Sequence, residues 1–217
     1  MVSFIYLHGF ASSPQSKKAR ALGDRFSALG IPLHAPDLNA GDFSHLTLSR
    51  QIAQVEMLFP PEPEPVILIG SSFGGLTAAW LGDRHAQVQK LVLLAPAFGF
   101  LQHWLPRLGE AAVQHWQETG LLSVYHYSQE RQLPLHYSFV TDAAQYEEAK
   151  LQRPVPTLIL HGIYDDTIPV TASRDHAAHR PWTTLIELDS DHALVDVEAQ
   201  IWSEIQSFLK SDFECIS

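Results

Sequence analysis

Gly70-Ser71-Ser72-Phe73-Gly74 sets one hydroxyl, that of Ser72, between two glycines at Gly-x-Ser-x-Gly spacing. A free hydroxyl is a poor nucleophile at neutral pH and becomes a strong one when a neighbouring base takes its proton. The spacing serves that chemistry. A serine on a sharp strand-to-helix turn is lifted above its sheet, and the flanking glycines Gly70 and Gly74 let strand and helix approach closely. The start of the helix that follows directs positive charge at a developing oxyanion. Ser71 also carries a hydroxyl but lacks the spacing to both glycines.

Ser72 needs a base, and the chain offers 12 histidines. His192 stands in Asp189-Ser190-Asp191-His192-Ala193-Leu194, after the last expected strand. In an open parallel sheet the loops after the strands open on one edge, so His192 is the base expected beside Ser72. A base needs an orienting carboxylate. His161-Gly162-Ile163-Tyr164-Asp165-Asp166 follows the fifth expected strand and supplies two, Asp165 and Asp166. Tyr6-Leu7-His8-Gly9-Phe10 ends the first strand and should also lie beside Ser72. The backbone N–H groups of Phe10 and Phe73 are then the expected oxyanion hole, where losing one donor costs on the order of 10² to 10³ in rate. His8 reads as a loop histidine bonded to backbone.

These residues need a frame. Short apolar runs at residues 2–7, 32–35, 66–69, 91–94, 157–160 and 184–187 read as strands. Leu22, Phe26 and Leu29 share a helical face within residues 16–29, which Gly30-Ile31-Pro32 ends. Leu48, Ile52, Val55 and Phe59 mark a second helix, stopped by the proline-rich residues 60–65. A third begins over residues 76–81, and Ile201, Trp202, Ile205, Phe208 and Leu209 make a closing one. Strands alternating with helices predict an α/β fold: a mostly parallel sheet of about six strands with helices on both faces. Residues 97–154 are too many for one crossover helix. They carry Phe98, Phe100, Trp104, Trp116, Tyr125, Tyr127, Tyr137 and Phe139. We read them as an inserted cap of helices and irregular chain within a single domain spanning 1–217.

Composition excludes several classes. Lys plus Arg total 14 against 24 Asp plus Glu, a formal charge of -10. Nucleic acid binding needs clustered cations, so no nucleic acid partner is expected. Anionic membrane surfaces would repel the chain, and no stretch is apolar enough to insert. The first residues, Met-Val-Ser-Phe-Ile, do not read as a signal peptide. Cys215 has no second cysteine to pair with and reads as a tail residue without a role, which fits the cytoplasm. His176 and His179 read as surface-helix residues, since no third ligand joins them at metal spacing. His103, His115, His126 and His136, scattered through residues 97–154, read as packing or exposed. No glycine-rich nucleotide motif occurs. No cofactor and no metal are expected.

Three stretches carry a resemblance: Tyr6-Leu7-His8-Gly9-Phe10-Ala11-Ser12-Ser13-Pro14-Gln15-Ser16, Gly70-Ser71-Ser72-Phe73-Gly74-Gly75 and Ala95-Pro96-Ala97. With them the chain resembles the α/β-hydrolase superfamily, and within it the short bacterial YqiA-type esterases. His161-Gly162-x-x-Asp165-x-x-Ile168-Pro169 is similar to the superfamily's acid loop, and that register implies Asp165 as the triad acid. The chain order Ser, Asp, His matches. The resemblance implies a core that begins at the superfamily's third strand, and ester hydrolysis through an acyl-enzyme without metal or organic cofactor. It covers residues 2–97 and 156–209. The sequence departs from the pattern at Asp191, where a glycine often precedes the histidine.

The expected function is that of a serine hydrolase of carboxylesterase type, acting on small acyl esters or thioesters with Ser72, His192 and Asp165. Activity should rise with pH as His192 loses its proton. An aminopeptidase or amidase on the same triad is the enzymatic rival, which aminoacyl-amides against acyl esters would separate. A hydrolase-fold protein that binds a ligand without turnover is the third reading. Such proteins usually lack a triad member, and a dead pocket should not label with a fluorophosphonate.

Overall fold

The computed structural model describes residues 2–214; Cys215 lies outside them. The strands, in chain order, are β1 (Ser3–Leu7), β2 (Leu33–His34), β3 (Val66–Ser71), β4 (Val88–Leu94), β5 (Leu121–His126), β6 (Arg131–His136), β7 (Thr157–Gly162) and β8 (Thr183–Leu188). Six of them form one sheet in the order β2-β1-β3-β4-β7-β8, and all its pairings are parallel. β4 starts earlier than its apolar run because Lys90 pairs with Ile67 in the ladder while its ammonium reaches Asp212 at 2.5 Å.

The central strands are apolar at consecutive positions because both faces are covered. Ile5, Leu7, Leu68, Leu91, Leu93 and Ile159 point to one core. Phe4, Tyr6, Ile67, Ile69, Val92, Leu94, Leu158 and Leu160 point to the other. The helices are α1 (Lys17–Ala28), α2 (Leu48–Glu56), α3 (Phe73–Arg84), α4 (Phe100–Leu108), α5 (Glu110–Thr119), α6 (Ser138–Ala143), α7 (Val170–Ala178), α8 (Glu198–Phe208) and α9 (Lys210–Glu214). Buried side chains of α2 and α3 fill the first core. Those of α1 and α8 fill the second. Local chemistry fixes the helix ends. The Ser16 hydroxyl accepts the Ala19 N–H at 3.3 Å, and Thr47 does the same for Arg50 at 3.1 Å. Gly30, at φ 71°, lets the Ile31 N–H return to the Phe26 carbonyl and close α1.

Between β4 and β7 the chain builds α4, α5, the antiparallel pair β5–β6 and α6. The hairpin corrects the expectation of helices and irregular chain there. Along β5 exposed and covered residues alternate, so Leu122, Val124 and the buried His126 turn inward, joined by Leu133 and Leu135 from β6. Trp116 is completely buried beneath it and donates its indole N–H to the Leu135 carbonyl at 2.9 Å. At the hairpin tip the Tyr127 N–H bonds the Ala11 carbonyl at 3.0 Å, which ties this region to the loop after β1. No described helix is long and apolar enough to cross a membrane.

Candidate active site

β3 ends at Ser71 and α3 starts at Phe73, so Ser72 occupies the whole turn at φ 53°, ψ −119°. A residue with a Cβ seldom adopts positive φ, and here close packing over-determines it. A Cβ on Gly70 would lie 2.7 Å from the Gly75 Cα, and one on Gly74 would lie 2.5 Å from the His8 carbonyl oxygen. The two glycines therefore let α3 press against both β3 and the loop after β1. The Ser72 N–H bonds the Leu94 carbonyl at 2.9 Å, and its own carbonyl accepts from Ala97 at 3.0 Å.

Three loops at the carboxyl edge of the sheet converge on this turn. His192 Nε2 lies 3.0 Å from Ser72 Oγ, and its Nδ1 lies 2.6 Å from Asp165 Oδ2. A carboxylate only accepts, so Nδ1 carries the hydrogen and Nε2 is free to accept from the serine. Asp165 is buried, and Asp166 is exposed and reaches only the Thr167 hydroxyl at 3.3 Å. Burial works to raise the Asp165 pKa. Hydrogen bonds from His161 and His192, the His192 charge and the Ile168 N–H outweigh it and hold the carboxyl well below its usual range. Its Oδ1 also accepts the Thr167 and Ile168 N–H groups, each at 2.8 Å.

The loop after β1 flanks the serine as expected: a Cβ on Gly9 would stand 3.2 Å from the Ser72 Cβ. Among the described residues no backbone hydrogen bond uses the N–H of Phe10 or of Phe73. Both donors are thus available at the turn. His8 sits between backbone groups, with Nδ1 2.9 Å from the Gly9 carbonyl and Nε2 accepting from the Leu38 N–H at 2.9 Å. The Phe10 ring meets Trp104, Phe139, Phe43 and Phe100 with centroids between 5.2 and 5.8 Å apart.

His161 and Lys18 have no role assigned from the sequence, and Asp191 stands there only as a departure from the family pattern. His161 is buried behind Asp165; its Nε2 faces Asp165 Oδ2 at 3.0 Å and the Ile168 carbonyl at 2.9 Å. Two acceptors there place the hydrogen on Nε2, while Nδ1 takes the Ser173 hydroxyl at 2.7 Å. Only its position at a strand end, in an otherwise apolar run, signalled it. Asp191 is spent on its own turn, accepting from Ala193 at 2.8 Å and Leu194 at 3.3 Å. Lys18 reaches the Ser71 hydroxyl at 2.9 Å.

A cavity of about 760 Å³ opens between α3, α4, α6 and α7, lined among others by Leu76, Phe98, His103, Glu148 and His176. Leu76 bonds the Ser72 carbonyl through its N–H at 3.1 Å, so this hollow begins one helical turn from the serine, although neither Ser72 nor His192 lines it. His176 is half-buried, contrary to the surface reading. Its ring stacks on Phe98 at 3.9 Å, and burial pushes its pKa down to about 3. Burial raises Glu148 to about 7, against the Gly99 N–H that it accepts at 2.8 Å and the Arg180 charge.

The profile of the "Uncharacterised protein family (UPF0227)" matches residues 3–210. No curated protein matches the sequence. Among solved structures the chain is similar to alpha/beta hydrolase domain-containing protein 10 from mouse. That likeness has 22% identity and a TM-score of 0.76, over 99% of this chain and 90% of that one. It is also similar to Est1E from Butyrivibrio proteoclasticus with ferulic acid bound, at 18% identity and a TM-score of 0.80, over 97% and 89%. A monoacylglycerol lipase from Paleococcus ferrophilus aligns at 16% identity and a TM-score of 0.77, over 96% and 93%. The architecture is the α/β-hydrolase fold.

Proposed function

The chain belongs to the uncharacterised protein family UPF0227, and on that premise we propose that it is a serine hydrolase cleaving small acyl esters or thioesters through an acyl-enzyme. The observation that carries the reading is the unbroken hydrogen-bond path Ser72 Oγ to His192 Nε2 at 3.0 Å, then His192 Nδ1 to Asp165 Oδ2 at 2.6 Å. A path complete in all three members favours turnover over mere binding.

Ser72 Oγ attacks the substrate carbonyl carbon while its proton passes to His192 Nε2. The carbonyl π bond opens onto oxygen, and the Phe10 and Phe73 N–H groups hold the oxyanion. Collapse breaks the bond to the alcohol or thiol, which leaves with the proton from His192. Water, deprotonated by the same imidazole, then attacks the acyl-enzyme and returns Ser72 with a free acid. Asp165 stays ionised throughout and stabilises the transient imidazolium. No metal or cofactor enters this scheme.

Residues 97–154 act as the cap of a single domain, and the aromatic side chains they bring over Phe10 suit an apolar acyl or aryl group. Two of the similar structures, Est1E with ferulic acid bound and a monoacylglycerol lipase, agree with an ester substrate. A single cysteine suits work in the cytoplasm.

The test is hydrolysis of p-nitrophenyl esters of graded chain length by wild type and a folded Ser72→Ala variant. Wild type turns over, and the variant loses on the order of 10⁶ in kcat. Equal rates in both would remove Ser72 from the mechanism. Turnover of aminoacyl-amides without esters would make the enzyme an amidase. A protein that neither turns over nor labels with a fluorophosphonate is a binder.

A further inference from the structure

Lys18 stands in the first turn of α1, where a cation opposes the helix dipole and where no acidic residue offsets it. It is nevertheless folded inward. Its Nζ donates to the Ser71 hydroxyl at 2.9 Å, on the residue just before the nucleophile. Ser71 is buried at the end of β3. The buried Tyr6 phenol of β1 faces the same hydroxyl and that of Ser16. The charges around Lys18 come from three further segments: Asp165 in the loop after β7, Asp191 in the loop after β8, and Glu198 at the start of α8. All three are acids, and two belong to the loops that carry the carboxylate and the imidazole to Ser72.

An ammonium is not drawn out of water without compensation. Here the ammonium's described contact is with the residue that leads into the nucleophile's turn. We propose that Lys18 is a positioning residue: its ammonium fixes the Ser71 side chain from behind the nucleophile and thereby holds the turn that carries Ser72. The proposal rests on the serine-hydrolase reading of Ser72.

Burial pushes Lys18 down to about 8, with Asp165, Asp191 and Glu198 pulling the other way. Below that pH the Ser71 hydroxyl is held by a charged donor. Above it that donor is neutral, its hold on Ser71 weakens, and Ser72 becomes less reactive. A lysine that only packs would leave no such alkaline fall.

The experiment follows the rate of Ser72 labelling by a fluorophosphonate from about pH 6 to 10. Wild type, Lys18→Arg, Lys18→Met and Ser71→Ala are compared, each checked for cooperative melting. Wild-type labelling falls on the alkaline side, around pH 8. Lys18→Arg stays charged and loses the alkaline fall, whatever its plateau. Lys18→Met labels roughly tenfold more slowly at pH 7, the scale of one charge-assisted hydrogen bond, and also has no fall. Ser71→Ala removes the hydroxyl that Lys18 holds, so its plateau drops and the fall goes with it. If Lys18→Met does not fold, the other two variants decide. A wild type that labels without an alkaline fall overturns the proposal, as do Lys18→Arg and Ser71→Ala profiles that superimpose on it. A wild type that never labels overturns the serine-hydrolase reading and this proposal with it.

Discussion

His192 Nδ1 stands 2.6 Å from Asp165 Oδ2, across 27 positions of sequence and between two loops that meet only at the sheet edge. The next residue, Asp166, points to solvent. Asp165→Asn should therefore lower kcat on the order of 10⁴, by presenting a donor to Nδ1 and favouring the wrong tautomer. Asp166→Asn should change it less than twofold. Steady-state rates on one ester settle the pair, and comparable losses would dissolve the assignment.

His161 meets Asp165, Ile168 and Ser173 in a fully buried position. His161→Leu removes the partner of the Ser173 hydroxyl and the Ile168 carbonyl and one of the hydrogen bonds to Asp165, at a cost of about 1–3 kcal/mol. It also frees the carboxylate to turn. Melting and kinetics measured together should show a lower Tm and a kcat reduced roughly tenfold, with KM little changed. A variant that loses stability alone would make His161 a packing residue only.

Glu148 has a folded pKa near 7 against an ordinary value of 4.5. Folding therefore takes up a proton between those values, and its contribution to stability falls as pH rises through that window. Glu148→Gln keeps an acceptor for Gly99 and removes the titration. Its Tm should exceed that of wild type at pH 8 on the order of 5 °C, and the gain should shrink towards pH 5. A difference independent of pH would contradict the buried carboxyl.

Trp116 and Trp104 touch one another at 5.6 Å but stand in different surroundings. Trp116 is fully buried and hydrogen-bonded, so Trp116→Ala should cost about 3–5 kcal/mol. Trp104 is half-buried against Phe10, beside the proposed oxyanion hole. Trp104→Ala should shift the preferred acyl length in an ester series while the protein stays folded. The opposite pattern would exchange their roles.

The frame was readable because its signals are local. Apolar runs marked the strands, two glycines marked the close approach at Ser72, and Ser16 and Gly30 bracketed α1. The hairpin escaped because only one side of β5 and β6 is covered, and Pro134 interrupts the second strand. His161 and Lys18 escaped for another reason. A histidine at a strand end and a lysine in a first turn are ordinary in sequence, and their partners come from distant segments. Gly162 hid in the same way: a Cβ there would lie 2.5 Å from the Asp191 carbonyl oxygen, a neighbour that only the folded sheet supplies.

The bond from the Tyr127 amide to the Ala11 carbonyl joins the hairpin tip to the strand-end loop that carries Phe10. In the proposed enzyme, the cap and the oxyanion loop thus share a hinge pin. Shortening the hairpin, or grafting a cap from another hydrolase, removes the strut that braces residue 11, and the graft must carry its own amide to that carbonyl. Variation confined to the outward face of β5 and β6 leaves the strut in place, so that face can change without loosening the loop that carries Phe10.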